Sequence, residues 1–103
     1  MFLAKVEGSV VSTKKDASMS GRKLLLLRPQ LVDDKDPTRF KAGSNTIVAV
    51  DGVGAGIGEI VLFCQGSSAR LAPNLKDAPV DAVIIGIVDC VDVLGKQIYS
   101  TKQ

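Results

Sequence analysis

The residues most suggestive of chemistry lie in one run, Asp51-Gly52-Val53-Gly54-Ala55-Gly56-Ile57-Gly58-Glu59. Four glycines alternate there between two carboxylates, a pattern that suggests a nucleotide loop. A dinucleotide loop needs G-x-G-x-x-G between a strand and a helix, and this spacing differs. Glu59-Ile60-Val61-Leu62-Phe63 follows, which has strand character, so no helix N-terminus is on offer to a phosphate. No Lys-Ser or Lys-Thr follows the glycines either, which excludes a P-loop. The run reads as a tight connection between strands, its glycines permitting positive φ and close backbone approach.

Gly66-Ser67-Ser68-Ala69-Arg70 is the second candidate. A nucleophilic serine needs a base; the chain has no histidine, which leaves only a lysine. Neither serine sits in a strand-turn-helix elbow. A capped helical turn, or an arginine reaching across an interface, fits the segment better. Asp33, Asp34, Asp36, Asp51, Glu59, Asp81, Asp89 and Asp92 supply many carboxylates, but nothing singles out an acid-base pair. Asp33-Asp34-Lys35-Asp36 lacks the spacing of a calcium loop and reads as a solvated loop. Cys64 and Cys90 each fall in an apolar run and read as reduced core thiols; without histidine or a close cysteine pair, a transition-metal site is not expected. No cofactor is implied.

The elements that must position these residues are mostly strands. The chain has 103 residues, 46% hydrophobic and 23% charged, which suits a single domain over 1–103. Net charge is +2 with both signs scattered, and Phe2, Phe40, Phe63 and Tyr99 are dispersed, which argues against a nucleic-acid groove. No apolar run approaches the roughly 18 residues of a membrane helix. Met1 to Glu7 carries charges within its apolar stretch and is neither a signal nor a transit peptide, so a cytoplasmic protein is expected.

Five strands are expected: Phe2 to Val11, Lys23 to Arg28 closed by Pro29, Thr46 to Val50, Glu59 to Gln65, and Ala82 to Val93 with a bulge or close contact at Gly86. Ser12 to Arg22 and Asp33 to Gly43 read as loops. Ser67 to Ala72 reads as one short helical turn stopped by Pro73, and a terminal strand around Gln97 to Ser100 is possible. The second, fourth and fifth strands are apolar on both faces, with no amphipathic helix to cover the second face. One face can fill a small barrel; another copy of the chain is the simplest cover for the other. Burying about 800 Å² per subunit, at ~25 cal/mol per Å² of its apolar part, is worth on the order of 10 kcal/mol before association costs.

Taken together, Met1 to Thr13, Gly21 to Pro29, Val48 to Glu59, Gly66 to Arg70, and Pro79 to Ala82 running on to Ile85-Gly86-Ile87-Val88-Asp89 resemble the EutN/CcmL family of bacterial microcompartment vertex proteins. The resemblance spans essentially the whole chain. It implies an all-β fold, a five-stranded barrel related in shape to the oligonucleotide-binding fold, assembled as a cyclic pentamer. Such pentamers close the five-fold corners of a polyhedral shell whose facets are hexagonal shell proteins, and they are not enzymes. It also implies that Gly54, Ala55 and Gly56, with Ser67, Ser68, Ala69 and Arg70, contribute to subunit contacts and the region around the five-fold axis. The competing reading is an oligomeric barrel that binds a small molecule or nucleotide through the glycine-rich turn.

Overall fold

The fold is that of a computed structural model, which describes residues 1–12, 17, 21–66, 69 and 80–101. Its strands are β1 (Phe2–Val10), β2 (Lys23–Val32), β3 (Phe40–Ala42), β4 (Ile47–Asp51), β5 (Ile60–Gln65), β6 (Ala82–Ile87), β7 (Cys90–Val93) and β8 (Lys96–Ser100). Six of them form a sheet in the order β1-β5-β6-β4-β2-β3, and β1 also pairs with β2. That last pairing closes β1, β5, β6, β4 and β2 into a five-stranded barrel with β3 attached outside the ring. Every pairing is antiparallel except β4 with β6. Closure leaves the five barrel strands paired on both sides over part of their length, which protects backbone groups that an open sheet would present to other chains.

Period-two alternation decides what fills the barrel. Ala4 and Val6, Leu25 and Leu27, Ala49, Val61 and Phe63, and Ala82 and Ile84 all point inward and are buried. Cross-strand register stacks them in layers: Val6 opposite Leu27, Leu25 opposite Ala49, Ala4 opposite Val61, and Phe63 opposite Ile84. Small residues beside large ones suit the narrow bore of five strands. At one mouth the rings of Phe2 and Phe63 stack tilted, 5.5 Å between centroids.

Two bulges bend the strands round this bore. The β1–β2 register skips Glu7 between Val6 and Gly8, and the β5–β6 register skips Ile85 between Gly86 and Ile84. The second is the irregularity expected at Gly86.

The outward residues Leu24, Val50, Cys64 and Val83 form a second cluster with Ala69 and Val80, which belong to the chain between β5 and β6. Part of the outer apolar face is thus covered within the subunit, where the sequence pattern suggested a second copy for all of it. Val48 and Ile85 stay 45% and 39% exposed on that face.

Three boundaries differ from the sequence reading. β2 does not stop at Pro29 but runs through it to Val32, because the strand changes partners there. Leu24–Leu27 face β4, whereas Gln30–Val32 pair with β3, and the Pro29 carbonyl accepts from Gly43 N at 2.8 Å. Proline is tolerated where no ladder bond needs its missing N–H. The Asp33 to Gly43 stretch therefore contains a strand, β3, after an ordered turn. The expected strand Ala82 to Val93 is broken after Ile87, and β7 pairs with β8 in a separate hairpin whose turn residues Leu94 and Gly95 have φ of 51° and 80°. Cys90 opens that hairpin outside the barrel and is exposed, so it is not a core thiol; Cys64 is half-buried, and both are free. The helical turn expected from Ser67 to Ala72 lies outside the described residues except for Ala69.

Candidate functional site

The glycine-rich turn joins β4 to β5 and closes the barrel mouth opposite the Phe2–Phe63 pair. Asp51, the last residue of β4, organises it. Its Oδ1 accepts from Val53 N at 3.0 Å and Gly54 N at 3.1 Å, and its Oδ2 from Ala55 N at 3.0 Å. Lys23, opposite Asp51 in the β2–β4 register, brings Nζ to 3.5 Å from Oδ2 and donates to the Ala55 carbonyl at 3.3 Å. The Asp51 side chain is only 1% exposed. A carboxylate taken out of water needs such partners, and this one has three backbone donors and a cation.

The far half of the turn has its own anchor. Gly56 N donates to Glu59 Oε1, Glu59 N donates to the Gly56 carbonyl at 3.2 Å, and Gly58 N reaches the Val6 carbonyl at 2.8 Å. Gly54 and Gly58 adopt φ of 81° and 89°, which side chains rarely tolerate. A Cβ on Gly56 would sit 3.1 Å from Glu59 Oε1, against the atom that holds the turn.

These bonds bear directly on phosphate chemistry. Successive N–H groups converge here as they would around an anion. The anions are already present, as Asp51 for residues 53–55 and Glu59 for residue 56. The turn is a nest filled by its own carboxylates, which opposes the nucleotide-binding alternative.

The residues expected at subunit contacts fall into different environments. Gly54 is exposed on the turn and Gly56 is half-buried. Ala55 points into the barrel core and is 2% exposed, so it plugs its own subunit. Ala69 is likewise buried, in the outer cluster. Ser67, Ser68 and Arg70 lie outside the described residues. The turn does present apolar side chains that the sequence reading did not single out: Val53 at 40% and Ile57 at 72% exposure. At the other end, a groove of about 830 Å³ is lined by Arg28, Pro29, Ser44, Asn45, Ile47 and Gln65 among others. Arg28 is already engaged there, by Glu7 Oε1 at 3.0 Å and the Gly43 carbonyl at 3.0 Å.

The family described as "Ethanolamine utilisation protein EutN/carboxysome" matches residues 1–89. The chain belongs to the EutN/CcmL family. Among the family's characterised members, the carboxysome shell vertex protein CcmL of Gloeobacter violaceus is 47% identical over 102 residues, spanning 99% of this chain and 96% of that protein. The microcompartment shell vertex protein PduN of Salmonella typhimurium is 47% identical over 89 residues, 86% of this chain and 96% of its own. The solved structure of Gloeobacter violaceus CcmL superposes with a TM-score of 0.86 at 46% identity, each chain covered in full. The pentameric microcompartment shell protein GrpN of Rhodospirillum rubrum superposes with a TM-score of 0.74 at 44% identity, covering 91% of this chain and 99% of that one. The EutN/CcmL match ends at residue 89, the last residue before β7.

Proposed function

We propose that this chain is a shell protein that forms pentamers and occupies the five-fold vertices of a bacterial microcompartment. The observation that carries the reading is the likeness to the pentameric shell protein GrpN, at 44% identity over nearly all of both chains. The physical logic is geometric. Hexagonal tiles alone make flat facets, and five-membered rings supply the curvature that closes a shell. A head-to-tail contact repeated five times closes on itself and needs one surface patch to fit a different patch on the next copy. Val48, Val53, Ile57 and Ile85, exposed on the outer face and the turn, are apolar surface available for such a contact.

Several narrower statements belong to the same reading. The chain acts as one domain over 1–103, has no catalytic role and takes neither nucleic acid nor cofactor. Its partners are its own copies and the hexagonal shell proteins of the facets. Within the ring, Gly54 and Gly56 shape the contact loop, Ala55 and Ala69 support it from inside the subunit, and Ser67, Ser68 and Arg70 approach the neighbour or the axis.

Native mass spectrometry without added ligand tests the proposal. Five subunits of 10.8 kDa predict a dominant species of about 54 kDa. A clean monomer at micromolar concentration would sink it.

A further inference from the structure

From the turn geometry we infer that Asp51 is a positioning residue for ring formation, an internal anion that holds the β4–β5 turn in the shape the neighbouring subunit meets. The inference rests on the vertex reading, with the turn as part of the contact. The Asp51 side chain is buried while two of the three residues it controls are exposed: its carboxylate binds the N–H groups of Val53, Gly54 and Ala55, and Val53 and Gly54 lie on the surface. Ala55, the third residue it holds, is locked in the barrel core. The carboxylate therefore couples a rigid interior to an exposed surface. Lys23 completes the arrangement by bridging Asp51 and the Ala55 carbonyl, tying β2 to the same turn.

An amide of the same shape cannot do this. Both carboxylate oxygens accept from donors, Oδ1 from two N–H groups and Oδ2 from Ala55 N with Lys23 close by. Asn at this position turns its NH₂ toward one set of donors whichever way it is oriented. At least one N–H of the turn then loses its acceptor, and an unmatched buried donor is costly.

The test is Asp51→Asn measured against the wild type. The folded variant is expected to show amide exchange at residues 53–55 faster by about tenfold or more, and a pentamer-to-monomer midpoint raised by about tenfold or more, well below its melting temperature. With Asp51→Gly, high formate is expected to restore part of the pentamer, because a free carboxylate can enter the vacated nest, whereas chloride at equal ionic strength does not.

A lowered melting temperature with an unchanged midpoint would mean a structural role only and would overturn the inference. If Asp51→Asn does not fold, Lys23→Met decides. Lys23 is exposed, and loss of its bridge is expected to raise the midpoint about threefold, with an unchanged midpoint again overturning the inference. A wild-type chain that never forms pentamers would instead defeat the vertex reading, and this inference with it.

Discussion

Asp51 and the acidic pair Asp33 and Asp36 are carboxylates in contrasting settings, and their environments assign them different work. The Asp36 side chain is 48% exposed, in keeping with a solvated loop, whereas that of Asp33 is only 14% exposed, and neither is idle. Asp33 accepts from Lys35 N at 2.9 Å and pairs with Arg39 at 3.4 Å; Asp36 accepts from the Thr38 hydroxyl and, at 3.1 Å, from Thr38 N. The Lys35 N–H, with Arg39 behind it, holds the Asp33 carboxyl below its ordinary value of 3.8. The Thr38 hydroxyl, then the Thr38 N–H, does the same for Asp36. A folded-state value below the unfolded one means the unfolded chain binds more protons in acid. The stabilisation is therefore complete above the unfolded value and disappears as pH falls through the lowered folded values. Denaturant melts at falling pH should show this loss below about pH 4, and Asp36→Asn should flatten that slope by giving up at neutral pH the small increment that the charged Asp36 contributes. Asp51 could be seen in the sequence only as one end of a glycine run. Its reach across residues 53–55 follows from the fold of the turn, which spacing alone does not reveal. The exposed turn residues Val53 and Ile57 were equally silent, since an isolated apolar residue between glycines carries no periodicity.

Among the elements, the barrel strands were legible where alternation or an unbroken apolar run marked them. β4 and β5 came within a residue of their observed bounds, and the bulge beside Gly86 was marked by the glycine itself. The misreadings cluster where tertiary partners override local signals. Pro29 looks like a stop, yet β2 continues because its partner switches to β3. β3 itself has three residues, too few to display a period, and Phe40 in it stacks on Tyr99 with centroids 6.4 Å apart. The four aromatics that are scattered along the chain thus meet as two pairs. The β7–β8 hairpin has the opposite problem, a turn with an unfavourable residue. Leu94 adopts φ of 51° and is 85% exposed, whereas two-residue hairpin turns with positive φ favour Asn-Gly. Leu94→Asn should stabilise the hairpin by about 0.5–1 kcal/mol, through relief of the left-handed strain. Slower amide exchange across Cys90–Ser100 would register it, and unchanged exchange would mean that the turn is not what limits the hairpin.

At the scale of the whole molecule, two bodies of unequal standing share the chain. The barrel has a filled interior and a second cluster outside it, while the hairpin follows the last residue of the EutN/CcmL match and still falls within the full-length likeness to Gloeobacter violaceus CcmL. Truncation after Asp89 should leave the barrel folded, with a loss of about 1 kcal/mol from the Phe40–Tyr99 contact. Circular dichroism and a denaturant melt would measure it, and collapse of the fold would show that the hairpin belongs to the core. The barrel's own connectivity has an implication for biosynthesis. In space β6 lies between β5 and β4, but it leaves the ribosome after both, and no closed ring of strands exists until residues 82–87 arrive. Pairings so distant in sequence form slowly. The growing chain consequently emerges with its bore open and its apolar strands uncovered for most of translation. The strand that completes the bore is thus the last of the five to be made, and any subunit contact that needs a closed barrel waits for it.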